Sequence, residues 1–440
     1  MENHDTRRSR LDFGMWFGVM VLFIFCAADM AVAQDTSLLS GESSTIFRTM
    51  QSTNNDTLAP AYEYLHFSAP NLDRNGRFSL DVGGWGRTDL GYRSTKDYHD
   101  GDLQYGYVSY RGPSNNLAAD LGRQFVTEGV ASEKLDGLYL RSDFKAGFGA
   151  AAFVGAPVVT EPNSGGGSLI YGGRLTNSMS KYYTIGISAL KVNCDGVNSR
   201  EEEGVDIWFH PLTQIDIVGR SSYNSITGGW MEHDYQLTYS PRNNLSINAN
   251  TSDIKYRAYF FNMTTDVFSL YSATNRTGLL DPNERAQATG ASVVYSPKKK
   301  LVLTADYKNH HHAIAGDANY FGGKATVLLP EGFMTGLSIH RMDGSTDKLR
   351  YSEYRVFTSK KIKRFDFTGD YIETSYDNQI NGVNNSHTLV GAVSYQIKSG
   401  LKFSADIDYY RNPYYDNNVA GLFKITYAFD ARRGTEGSAK

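Results

Sequence analysis

The chain reads as all-β, an antiparallel transmembrane β-barrel of about 18 to 20 strands of roughly ten residues each. Three observations carry that reading. Segments along most of the sequence alternate apolar and polar residues at period two, as a strand with one apolar and one wet face does. The wet parity carries full charges, which a soluble core excludes and a water-filled barrel accepts. Short turns alternate with longer polar connections, the sorting a membrane barrel uses at its two rims. A soluble β-sandwich needs the same alternation but has no reason to sort its loops.

Residues 1–33 have the form of a secretory signal. Arg7, Arg8 and Arg10 open it, residues 15–28 are its apolar run, and Ala31-Val32-Ala33 is a small-residue cleavage site. Beyond it no stretch approaches the roughly 20 apolar residues of a membrane helix, and mean hydropathy is −0.42. Removing the segment leaves 41 basic against 43 acidic residues, so nucleic acid is not an expected partner. Cys194 is then the one cysteine left, which excludes an intrachain disulfide, and no C-x-x-C-H is present to attach a c-type haem. Tyr 30, Phe 23 and Gly 43 with Pro 11 suit many strands, tight turns and aromatic girdles.

Residues 34–75 are expected to be a periplasmic or plug segment, with 62–68 a candidate first strand. The barrel proper is expected over 76–429, and 430–440 as a polar tail. In 77–90 (RFSLDVGGWGRTDL), Phe78, Leu80 and Val82 share one parity and Asp81, Arg87 and Asp89 the other. The pattern recurs in 244–252, 301–308 and 401–409. It ends in 417–429 (NNVAGLFKITYAF), where Val419, Phe423, Ile425, Tyr427 and Phe429 oppose Leu422, Lys424 and Thr426. Four turns, at 209–215, 239–245, 295–301 and 395–401, share a frame of aromatic, polar turn and aliphatic restart. Longer polar connections are expected at 265–285, 310–317, 343–349, 376–386 and 410–416.

The final stretch resembles the closing strand of bacterial outer-membrane β-barrels, which carries a glycine and then alternating aromatic or aliphatic residues ending in Phe or Trp. Residues 121–141 (LGRQFVTEGVASEKLDGLYLR) resemble bacterial porins, where Gly-Arg-Gln at a strand end precedes a loop and an Asp-Gly opens the next strand. That resemblance implies a place near a channel constriction for Arg123 and Gln124, with Glu128, Glu133, Lys134 and Asp136 close by. It also implies outer-membrane lipids and the barrel-assembly machinery as partners. The layout is similar as well to the porin-like barrels that accompany multihaem c-type cytochromes in outer-membrane electron conduits.

Inward parity assigns the candidate pore lining. The basic residues are Arg87, Arg123, Arg141, Arg174, Arg220, Lys308, Lys402 and Lys424. The acids are Asp81, Asp89, Asp206, Asp216, Asp306, Asp406 and Asp408, and the porin-like motif adds Gln124 and Asp136. With neither sign in excess, the expectation is a weakly selective channel for small polar solutes, without cofactor. A barrel sheath holding a multihaem cytochrome is the alternative. An enzyme is the less favoured third reading, built on Ser221, Ser222, Glu232, His233 and Asp234. His310-His311-His312 is the best metal candidate, but neighbours on a strand point to opposite faces.

Overall fold

In the computed structural model the described residues are 37–51, 57–73, 75–91, 99–158, 168–179, 181–194, 196–259 and 283–432. The expected signal segment lies outside them. The strands run β1 Ser37–Gln51, β2 Thr57–Leu58, β3 Pro60–Ala69, β4 Phe78–Asp89, β5 His99–Arg111, β6 Leu117–Glu128, β7 Ala131–Asp143 and β8 Phe148–Pro157. They continue as β9 Leu169–Met179, β10 Tyr183–Cys194, β11 Val197–Leu212, β12 Ile215–Asn224, β13 Gly229–Arg242, β14 Leu245–Lys255 and β15 Arg285–Lys298. The last are β16 Leu301–His312, β17 Ala318–Leu329, β18 Phe333–Gly344, β19 Arg350–Ile362, β20 Phe365–Ile380, β21 Val383–Lys398, β22 Leu401–Asn412 and β23 Tyr415–Arg432.

β1 pairs antiparallel with β3, each strand from β3 on pairs antiparallel with the next, and β1 pairs with β23 from Ser37↔Arg432 to Thr49↔Gly421, which closes the wall. β2 pairs only with the end of β1 and leads into β3, so the closed wall counts 22 strands. Closure lets every wall strand find hydrogen-bond partners within the protein, as lipid demands. The even count puts Ser37 and Arg432 at one rim, here called the near rim. The four turns with the shared frame lie there too, shortened to residues 213–214, 243–244, 299–300 and 399–400.

The two faces separate as the alternation requires. Leu121, Ile185, Ile187, Val205, Leu337, Ile339, Val356 and Phe423 stand exposed on the outer parity. The charged pairs Arg174–Asp206 and Arg355–Asp370 occupy the inner one, while Lys191–Glu201, Arg285–Asp253 and Arg341–Asp377 sit on the outer parity toward the rim away from Ser37 and Arg432. Glycines let aromatic rings lie flat across the ladder: a Cβ on Gly41 would come within 2.6 Å of the Phe429 ring, and one on Gly219 within 2.1 Å of Tyr235. Such cross-strand ring-over-glycine pairs cover backbone that would otherwise face the membrane bare.

Three sequence expectations are corrected. Residues 37–51 form a wall strand rather than a plug or periplasmic segment, and with the strand at 60–69, expected over 62–68, they raise the strand count above the expected range. β1 was hidden because Gly41, Ser43 and Thr45 interrupt the apolar residues of its outer face between Leu39 and Phe47. The tail begins later, since β23 continues to Arg432. Two connections expected to be long, 376–386 and 410–416, are instead strand ends joined through residues 381–382 and 413–414. Asn381 and Gly382 both adopt positive φ, 51° and 79°. That is the signature of a tight turn whose twist matches its strands, so polar composition there marks a hairpin projecting into water.

One hairpin leaves the wall. β5 and β6 pair only from Arg111↔Ala118 to Gly106↔Arg123, although β5 extends to His99 and β6 to Glu128. Above that point the β6–β7 tip leans inward over the lumenal faces of β8 to β11. The buried cluster Val126, Ala131, Leu135, Phe153, Ile170, Leu190 and Val192 joins tip to wall. The largest apolar core among the described residues is therefore inside the lumen, between an inserted hairpin and the wall. Burying each large side chain there contributes about 1.5–3 kcal/mol.

Candidate pore constriction

The tip is fastened by backbone and charge. The Val130 amide donates to Ser188 Oγ on β10 at 3.0 Å. Gly129 makes the turn with φ 61°, and a Cβ on it would lie 2.1 Å from Ser188 Oγ. Gly204 on β11 provides the complementary hollow, since a Cβ there would meet Val130 Cγ1 at 2.2 Å. Glycine is required at the first position by φ and at both by close approach.

Glu128, buried beside the tip, accepts a hydrogen bond from Tyr139 Oη at 2.6 Å and pairs with Arg174 at 3.4 Å and Arg141 at 3.8 Å. Arg174 continues to Asp206, its Nε donating at 3.1 Å. On the other arm of the hairpin Glu133 pairs with Arg200, which also donates from Nη2 to Glu202 Oε2 at 2.8 Å. Buried carboxylates and guanidiniums thus satisfy one another, which a partly desolvated charge must do to avoid a penalty of several kcal/mol. The arrangement narrows the lumen with a chain of alternating charge.

All the candidate lining residues except Arg123 and Asp136 share the inner face. Arg220 pairs with Glu232 at 2.8 Å, Asp306 with His340 at 3.1 Å, and Asp216 lies 3.7 Å from His210. Asp89 turns back to the backbone, accepting from the Gly91 amide at 2.9 Å. Asp81, Arg87, Lys308, Lys402, Asp406, Asp408 and Lys424 fall on the same face by register. Gln124 points inward but is covered, its amide donating to the Asp120 and Gly137 carbonyls.

Arg123 and Asp136 lie on the opposite parity from the inward one expected of them. Leu121 and Phe125 flank Arg123 on the exposed outer parity, and Asp136 is its ladder partner. Arg123 donates from Nε to Asp136 at 2.7 Å, and from Nη1 to Asp102 at 2.9 Å and the Leu103 carbonyl at 3.0 Å. Lys134 reaches Asp102 at 3.1 Å. These side chains bridge the seam where the β5–β6 ladder ends. Gly-Arg-Gln marks the place where the hairpin departs, and its arginine ties the hairpin to Asp102, the ladder partner of Trp85. Arg200, Glu202 and Ser188 were not singled out as constriction residues, because contacts between a hairpin tip and distant strands leave no periodic signal.

The enzyme candidates separate across the wall. Ser221 Oγ lies 2.8 Å from His233 Nδ1 and 2.7 Å from Tyr235 Oη, on the outer face. Ser222, Glu232 and Asp234 lie on the inner one by register. His310 and His312 face the lumen while His311 faces outward to Asp317. Among the described residues no group of three or more His, Cys, Asp or Glu is placed to hold a metal ion.

No protein-family model matches the chain and no curated protein matches it. Solved structures share its fold. The siderophore receptor PirA from Pseudomonas aeruginosa aligns with TM-score 0.57 at 11% identity, over 90% of this chain and 81% of that one. PirA from Acinetobacter baumannii gives 0.54 at 10% identity, over 90% and 81%. A ferric enterobactin receptor (PfeA) mutant from Pseudomonas aeruginosa gives 0.56 at 10%, over 90% and 81%. At such identity the likeness concerns the outer-membrane barrel fold alone.

Proposed function

We propose that this protein is a bacterial outer-membrane channel that lets small polar solutes diffuse passively with weak charge selectivity. The observation that carries the reading is the inner face: paired charges of both signs run from Arg355–Asp370 to the Glu128–Arg174–Asp206 chain at the inserted hairpin. Mixed fixed charges orient water and favour polar over apolar solutes without rejecting either ion sign. A wall of this strand number encloses an aqueous lumen unless something fills it. The apolar outer face suits outer-membrane lipid, and β23 suits the assembly machinery that reads closing strands. The reading contains no catalytic step, since Ser221 and His233 are separated by the wall from the acids expected to support them.

The strand number favours one further reading. Single-chain barrels of 22 strands are wide enough to hold a plug, and the same width would admit a multihaem c-type cytochrome as an electron conduit. Gentle extraction followed by an absorption spectrum and a planar-bilayer trace on one sample separates the two. Ohmic steps without a Soret band support the channel. A stoichiometric Soret band with little current until it is stripped refutes it in favour of the sheath.

A further inference from the structure

The inner face of β3, β4 and β5 carries an aromatic strip that neither the charge pairing nor the inserted hairpin uses. Aromatic girdles explain rings on the outer face of a membrane barrel. They do not explain rings on the wet face. Tyr62 and Tyr64 sit one above the other with centroids 6.2 Å apart. Trp85 is the ladder partner of Tyr64. His66 meets the Tyr105 ring edge-on at 5.9 Å. All share the inner parity, opposite to Leu65 and Phe67.

Their presentation matters as much as their number. Tyr64 is 36% exposed in the lumen. Tyr105 lies across Gly83, where a Cβ would come within 2.4 Å of the ring. A ring laid over a glycine turns one face to the wall and the other to the lumen. Polar groups are interleaved: Asp81 lies 3.9 Å from His66, and Arg87 is the ladder partner of Tyr62. The Arg87 Nε is enclosed and has no hydrogen-bond partner within the protein.

Flat apolar faces beside a few fixed donors and acceptors match a solute that is itself amphipathic by face. A pyranose is such a solute: its axial C–H bonds form an apolar face, and its hydroxyls radiate in the ring plane. From this geometry we infer that the β3–β5 strip binds saccharides. The C–H faces lie on Tyr64, Trp85 and Tyr105, and the half-buried Arg87 guanidinium, beside Tyr62 on the ladder, donates to a sugar oxygen. The inference names a solute class for the proposed channel, but binding itself does not require that the barrel conduct.

The test titrates the detergent-solubilised full barrel with maltohexaose, with oligogalacturonate and with polyethylene glycol of matched size, reading the Trp85 component of the tryptophan emission, taken as the difference from Trp85→Phe, which keeps Trp208 and Trp230. The expected result is a saturable change with one or both sugars and none with the polymer. Tyr64→Ala, and Tyr64→Leu as a variant that keeps apolar bulk without a flat face, should each weaken it about tenfold, or 1.4 kcal/mol. Preference for the galacturonate that disappears in Arg87→Gln assigns the Arg87 acceptor as a carboxylate, and equal binding of both sugars assigns it as a hydroxyl. No saturable change with either sugar, an equal change with polymer, or full binding in both Tyr64 variants overturns the inference. Conductance measured on the same preparation keeps the two readings apart. A conducting barrel blind to sugar removes the strip and leaves the channel, and a sugar-responsive barrel that never conducts does the reverse.

Discussion

Replacing Arg200 with alanine leaves Glu133 and Glu202 facing the constriction without their shared cation. The local charge of the three groups falls from about −1 to −2. An ion passing at about 8 Å feels one added unit charge in water as roughly 0.5 kcal/mol. At 0.1 M salt, where the screening length is about 10 Å, about half of that survives. A cation gains and an anion loses the same amount, so the cation-to-anion permeability ratio should rise about twofold. At 1 M salt, with a screening length near 3 Å, the shift should disappear. Reversal potentials under a potassium chloride gradient measure the ratio. Arg200→Lys should hold it at the wild-type value, and heat-modifiable gel migration checks that each variant is a folded barrel. An unchanged ratio at low salt, a shift toward anions, or an equal shift at 1 M would refute the placing of this cluster beside the ion path.

Three further outcomes are expected. Leu135, fully buried between tip and wall, should cost about 2–5 kcal/mol as alanine; limited proteolysis near residues 129–130 should accelerate while the barrel stays folded, and unchanged cleavage would detach the hairpin from its core. Arg123→Ala removes the bridge to Asp136 and Asp102, so deuterium uptake should rise in β5 and β6 above Gly106 and nowhere else on the wall. At the near-rim turn, Asp73 accepts hydrogen bonds from the Phe78 and Arg77 amides at 3.0 and 2.7 Å, which hold its carboxyl below the usual aspartate range. Because the folded value is the lower one, its support of the turn is complete above the unfolded value near pH 4 and is lost as pH falls through the lowered one. Exchange of the Arg77 and Phe78 amides, corrected for intrinsic rates, should rise on that descent in the parent and be flat in Asp73→Asn.

The strands were legible wherever the two faces differ strongly. Val419 to Phe429 announces β23 because lipid and lumen impose opposite chemistry on successive residues. β1 was illegible for the same reason reversed: Gly41, Ser43 and Thr45 on the outer face look like a loop. Two of those hydroxyls serve Glu63, with Ser43 and Thr45 donating to its carboxylate at 2.6 and 2.5 Å on the outer face of the wall. No single-strand pattern reveals such a cross-strand pair. Parity failed at Arg123 and Asp136, where a charged motif was expected to turn inward. A charge can remain on the outer face when its partners stand beside it, and the end of a ladder supplies them. Ser188, Gly204 and Arg200 escaped notice because a hairpin folding onto distant strands makes contacts that sequence distance does not order.

The pairing of β1 with β23 joins residues separated by almost the whole chain, from Ser37 to Arg432. Every other wall pairing joins neighbours in sequence and can form as soon as both strands exist. The cylinder therefore has one step that must wait for the last residues to arrive, and until then β1 is an open edge. A chain cut short by even its final strand would keep nearly all of its local hairpins. It would nonetheless be a sheet with two sticky margins, prone to join another copy instead of itself.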